Sequence, residues 1–130
     1  MADADNDGLL ALFASECGAH LDAIRTAACV WSAASDAGQR AAAAAAIRAS
    51  LQTLAGAARA VDLLDLEYLC RAVETLAAAG GWNSARLALL DEALSLAPQL
   101  SAPTGRLRNQ VLALAARCQA AVANACGAPA

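Results

Sequence analysis

Apolar residues recur at spacings of three and four along most of this chain, which is the signature of helices that bury one face. The first such stripe is Leu10, Phe13, Cys17, Leu21, Ile24, Ala28 and Trp31, and it predicts a long amphipathic helix over about residues 7–32. Asp3, Asp5 and Asp7 precede it and place negative charge where a helix dipole favours it. Ser35-Asp36-Ala37-Gly38 breaks the pattern, with Ser35 or Asp36 as N-cap candidates. A second stripe of Ile47, Leu51, Leu54, Ala58 and Val61 predicts a helix over about 37–60.

Asp62-Leu63-Leu64-Asp65 then turns the chain, with Asp62 read as the cap of a third helix over about 63–79. Leu66, Leu69, Val73 and Leu76 face its core, while Glu67, Arg71 and Glu74 face water; Glu67 and Arg71 have the favourable i,i+4 spacing. Gly80-Gly81 is a stop signal. Leu87, Leu90, Leu94 and Ala97 predict a fourth helix over about 84–97. The stretch from Pro98 to Pro103 reads as a loop, and Leu107, Val111, Leu114, Cys118 and Val122 predict a fifth helix over about 104–125. The tail from Gly127 is expected to fray. Trp31 and Trp82 fall near helix ends, where they can plug the bundle. Five helices with short links predict an all-α fold, an antiparallel up-and-down four-helix bundle with an additional fifth helix, in a single domain over residues 1–130.

Composition strengthens this picture. Nearly a third of the chain is alanine, the best helix former. Phe13, Trp31, Tyr68 and Trp82 are its only aromatics, which argues against a sheet. Much of the 59% hydrophobic content is alanine, and charges interrupt nearly every candidate span, so no membrane insertion is expected. The acidic N-terminal stretch is the reverse of a basic signal-peptide region, and a soluble cytoplasmic protein is the expectation. A net charge of −3, with every basic residue an arginine, gives no nucleic-acid footprint.

Cys17, Cys29, Cys70, Cys118 and Cys126 form no C-x-x-C pair, and an odd count without metal spacing argues against a disulfide framework and a zinc site. They read mostly as small core residues, with Cys126 as a candidate exposed thiol. No Gly-rich phosphate loop and no nucleophile elbow is present, the acidic residues are dispersed, and a single histidine cannot complete a metal cluster. Neither an enzyme nor a cofactor is expected.

The informative segment lies inside the second helix: Leu51-Gln52-Thr53-Leu54-Ala55-Gly56. Opposite the core stripe run Arg48, Gln52, Ala55 and Arg59, a polar face with small residues beside a central amide. Gly56 in a helix interior costs about 1 kcal/mol against alanine, and close approach of another backbone is the usual reason for one.

This segment resembles the phosphoacceptor motif of histidine phosphotransfer (HPt) domains of the chemotaxis-kinase type, roughly His-Ser/Thr-Leu-Lys-Gly. Residues 47–61 look like that family's second helix, residues 64–74 its third, and Leu9–Cys17 leading into His20-Leu21 its first, so that the resemblance covers about residues 8–79. By position, Gln52 stands where the family has its reactive histidine and Ala55 where it has its helper lysine, while Thr53, Leu54 and Gly56 match. A carboxamide is not a useful nucleophile near neutral pH.

The resemblance therefore implies a degenerate HPt module: a non-enzymatic interaction domain of two-component or chemotaxis-like signalling that docks a response-regulator receiver domain or a sensor histidine kinase without relaying phosphate. Arg48, Gln52, Ala55, Gly56 and Arg59 are the implied partner-binding residues. Two alternatives stand beside it. One is an active phosphocarrier using Thr53 or His20 as an atypical acceptor; the other is a structural or homodimerising helical domain favoured by the alanine-rich faces.

Overall fold

The structure, a computed structural model, describes residues 2–78, 81–102 and 104–127, and the side chains of these apart from residues 2–7, 78 and 124–127. Five α-helices follow one another: α1 (Ala2–Ala33), α2 (Ala37–Ala60), α3 (Leu64–Ala78), α4 (Ser84–Leu96) and α5 (Arg108–Gly127), with a 3₁₀ turn at Ala97–Leu100. No strand occurs among the described residues. The first helix begins at Ala2, earlier than the expected start near residue 7, so Asp3, Asp5 and Asp7 fall within its first turns and do not precede it; their side chains, the Gly80 stop signal, the thiol of Cys126 and the tail beyond Gly127 lie outside the described residues or side chains.

Local chemistry sets the corners. Asp36 caps α2 by accepting the Gln39 backbone N–H at 2.8 Å, and the Gln39 amide oxygen accepts the Ser35 N–H in return at 3.4 Å. This reciprocal arrangement is close to a capping box. At the same corner the Arg40 guanidinium lies 5.1 Å from the Trp31 ring centroid, a cation–π contact joining α1 to α2.

The end of α2 corrects one expectation. Asp62 does not cap α3; it sits at φ 61°, in the left-handed region, and closes α2 instead. Its N–H donates to the Arg59 carbonyl at 3.1 Å and the Leu63 N–H donates to the Ala58 carbonyl at 2.9 Å, the paired bonds of a Schellman ending. Leu63 and Ala58 are both buried and supply the apolar contact such an ending favours. An aspartate tolerates this conformation better than most side chains do.

Two further differences concern the last helices. The stretch after α4 is not wholly loop, because Ala97–Leu100 form a 3₁₀ turn with Pro98 at its start. The fifth helix begins at Arg108, not near Pro103 or Thr104; residues 104–107 form turns, and Gly105 at φ 67° carries the chain into them. A residue preceded by a left-handed glycine cannot continue a helix from the N-terminal side, which delays α5 by a turn.

Helices α1 to α4 form the bundle: α1 packs on α2, α2 on α3, and α4 against both α3 and α1, while α5 lies outside against α3 and α4. The core is one cluster built on Phe13, Ile24, Ile47, Leu54, Leu66, Leu69, Leu76, Leu90 and Val111. Cys17, Cys70 and Cys118 belong to it, in keeping with a core role for most of the cysteines, whereas Cys29 is exposed. Cys29 follows the buried Ala27 by two residues on α1, which turns it away from the bundle.

One buried charge holds the α3–α4 corner. Arg86 is 3% exposed, and its Nη1 donates to the Leu76 carbonyl at 2.9 Å and the Gly81 carbonyl at 2.7 Å. It thereby satisfies carbonyls that the end of α3 leaves without helical partners. Asn83 caps α4 through the Arg86 N–H at 2.8 Å, and Trp82 packs beneath with its Nε1 buried and unpartnered. The outer helix is pinned by ion pairs Arg108–Asp65 at 3.0 Å and Arg117–Glu92 at 2.7 Å; Arg25–Asp91 at 2.9 Å ties α1 to α4. All are exposed enough that each contributes little stability.

Candidate functional site

At 100° per residue, the buried positions Ile47, Leu51, Leu54, Ala55 and Ala58 define one face of α2, and Arg48, Gln52, Gly56 and Arg59 lie on the exposed face. Four of the five residues singled out from sequence are thus brought together at the surface. Ala55 is not: it is 0% exposed. It follows Leu51 by four positions and precedes Ala58 by three, so it belongs to the buried stripe and is covered by packing. Its spacing of three from Gln52 made the polar stripe an equally good fit, and an alanine carries no polarity to decide between them.

Gln52 does not hang free. Its Nε2 donates to Glu74 Oε1 on α3 at 2.8 Å. Glu74 is mostly covered, and its other oxygen lies 3.5 Å from Arg71 Nη1, while Arg71 Nη2 approaches Glu67 at 4.0 Å. The amide is therefore anchored to a ladder of alternating charge along α3. Sequence reading placed Glu67, Arg71 and Glu74 only as solvent-facing residues; their role beside Gln52 depends on the register between α2 and α3, for which the chain carries no local signal.

Gly56 sits one turn beyond Gln52. A Cβ built there meets nothing within 4 Å. Among the described residues none approaches it, so internal packing does not supply the reason for this helix glycine. Arg48 and Arg59 are exposed and make no ion pair or hydrogen bond among the described residues. Leu64 and Tyr68 project from the outer face of α3, 60% and 46% exposed, and give the α2–α3 shoulder an apolar margin.

The two alternative acceptors are differently placed. Thr53 is exposed, but its Oγ donates to the Ala49 carbonyl at 2.9 Å, one turn back in its own helix. His20 is half-buried on α1.

The titrations that depart from ordinary values lie elsewhere. Burial pushes the thiols of Cys17 and Cys118 up, and burial, followed by the neighbouring Cys17, pushes Cys70 up to about 12. These are neutral core thiols, not nucleophiles. The hydrogen bond from Arg117 holds the Glu92 carboxyl below its usual value. Among the described residues no group of three or more His, Cys, Asp or Glu could hold a metal ion, and no helix is long and apolar enough to cross a membrane. Two open grooves mark the surface, one of about 520 Å³ between α1 and α4 over Ala28, Cys29, Leu87 and Leu90, the other of about 560 Å³ between α1 and α2 over a run of alanines. Both lie away from Gln52 and lack the convergent polar groups that mark a small-molecule site.

A model of the Hpt domain family matches residues 8–124, which takes in all four bundle helices and most of α5. The chain belongs to the Hpt domain family. No curated protein and no solved structure matches it in direct comparison. Hpt domains are phosphocarrier modules rather than enzymes; they take part in phosphorelay signalling and interact there with receiver domains or kinases. The match extends beyond residues 8–79, where the motif resemblance is strongest, into the two C-terminal helices.

Proposed function

We propose that this Hpt domain is a docking module that engages a receiver domain, or a sensor kinase, without taking a phosphoryl group onto itself. Gln52 occupies the acceptor position with a carboxamide, whose nitrogen lone pair is delocalised and does not attack phosphorus. Ala55 removes the neighbouring cation and is buried, so nothing at that position reaches a phosphate.

The observation that carries the reading is Gly56. A glycine weakens the middle of α2 by about 1 kcal/mol relative to alanine, and no described residue uses the space it leaves. That space serves a partner whose surface comes close to α2. The exposed cations Arg48 and Arg59 flank the same strip and suit the acidic phosphorylation pocket of a receiver, where complementary charge speeds encounter and fixes register. Leu64 and Tyr68 supply the apolar margin. The result is occlusion: a receiver held here is unavailable to a histidine-bearing Hpt domain.

Binding of purified receiver domains tests this. Gly56→Arg should abolish measurable binding by filling the open space, and Arg59→Glu should weaken it about tenfold, more at low salt than at high. Unchanged affinity in both variants removes the α2–α3 shoulder from the mechanism.

A further inference from the structure

The anchored amide can do more than fill a pocket. We infer that Gln52 positions a water molecule for in-line hydrolysis of an aspartyl phosphate carried by the docked receiver domain, so that this chain discharges its partner. The inference rests on the docking reading above and adds a reaction to it.

The geometry of the amide supports this. Glu74, as a carboxylate, can only accept, so the Gln52 NH₂ group must face it. The carbonyl Oε1 then points the other way, and no described residue donates to it. Gln52 therefore offers an outward acceptor whose rotation is restrained by a hydrogen bond behind it. A water that donates one O–H to this carbonyl keeps a lone pair for phosphorus, and a glutamine amide is a known kind of water-orienting group in phosphoryl transfer. The position is the one from which an imidazole attacks in a phosphate-carrying relative; an amide there places water where a nucleophilic nitrogen would be.

The surrounding groups fit the same step. Among the described residues Arg48 and Arg59 have no partner to hold them back from a phosphorylated acidic surface. Thr53, the nearest hydroxyl in sequence, is bonded into its own helix and does not compete as nucleophile. Glu74 touches neither water nor phosphate in this scheme. It is a positioning residue that acts through Gln52, and Arg71 moderates its charge.

The chemistry balances without a cofactor from this chain. The water oxygen forms a new bond to phosphorus as the bond from phosphorus to the aspartyl oxygen breaks. The electron pair of that bond leaves with the aspartate carboxylate, and both protons of the water remain on the product, dihydrogen phosphate. Nothing is oxidised or reduced.

The experiment uses the full chain and receiver domains of the host's two-component proteins, charged with acetyl phosphate in magnesium buffer and freed of excess reagent. Binding is measured separately with the beryllofluoride form of each receiver. The expected result is that a receiver which binds loses its phosphoryl group faster by on the order of 10-fold or more, with inorganic phosphate released and turnover at substoichiometric chain. Gln52→Ala, at an exposed position that leaves the core intact, should abolish the acceleration while binding persists. Glu74→Ala should lower the hydrolysis rate with an unchanged Kd, which a merely structural role would not produce. A complex that forms without acceleration, or an acceleration that survives Gln52→Ala, overturns hydrolysis and leaves docking standing. Failure of every receiver to bind overturns docking and hydrolysis together. Transfer of the phosphoryl group onto this chain, read from its intact mass, overturns hydrolysis and the proposal that the docked chain takes no phosphoryl group.

Discussion

Arg86 and Gln52 are two polar side chains held by hydrogen bonds from one helix to the next, and they differ in what they leave over. Arg86 is buried and spends its guanidinium on the Leu76 and Gly81 carbonyls at the end of α3. Its bonds serve folding. Gln52 is exposed, uses its NH₂ group on Glu74, and keeps its carbonyl unused beside a glycine with open space above it. The contrast separates a corner that maintains the bundle from the shoulder proposed for docking.

The sharpest way to break this comparison is to remove each anchor. Arg86→Ala strands two carbonyls that received charge-assisted bonds and should destabilise the domain by about 3 kcal/mol in urea unfolding, with receiver affinity per folded molecule unchanged. A loss of affinity in the folded variant would mean that the α3–α4 corner belongs to the docking surface after all.

Cys70 lies on the same helix as Glu74, one turn earlier and on the buried side. In the unfolded chain a thiol releases its proton near 9.0, whereas burial holds this one until about 12. Between those values the unfolded state binds fewer protons than the folded state, so stability should fall as pH rises. Cys70→Ala should flatten that alkaline decline in urea midpoints measured across the range, and an unchanged slope would mean that the thiol is not buried in solution. Peptide mapping after alkylation of the native protein should find Cys29 modified and Cys17, Cys70 and Cys118 protected.

Gly56→Ala is the most discriminating change because its two effects have opposite signs. It should stabilise the domain by about 1 kcal/mol, since the new methyl group meets nothing within the chain, and it should weaken receiver binding. Stabilisation without any loss of binding would make Gly56 an accident of sequence.

The smallest effect is expected at the outer helix. Arg117 lowers the pKa of Glu92 in the folded state, so this pair contributes above the ordinary carboxylate value of 4.5 and its contribution is lost as pH falls through the lowered one. The difference in urea midpoint between the native chain and Arg117→Ala should be slight, because both side chains are exposed, and should vanish in acid. A gap that widens as pH falls would contradict the pair.

Periodicity alone placed the helices because amphipathic spacing is a local property. The stripes through Phe13, Ile24, Leu54, Val73 and Leu94 run along the faces that the bundle buries. The resemblance around Gln52, Thr53, Leu54 and Gly56 was equally legible, since these residues are neighbours along the chain. Asp62 was misread because a capping aspartate and a left-handed aspartate have the same local sequence; only the bonds from Asp62 and Leu63 back to α2 distinguish them. Ala55 was misread because alanine fits either face.

By itself, then, the order of residues determined five helices, their inward faces and the place of the Gln52 amide on the outward face of the second, all through spacing within single helices. Tertiary structure alone decided that Glu74 stands behind that amide, that Ala55 is covered, that Arg86 lies in the interior, and that Gly56 faces open space. Each of these is a relation between helices far apart in the chain, fixed by the register in which their side chains pack, and register is a property of the assembled bundle.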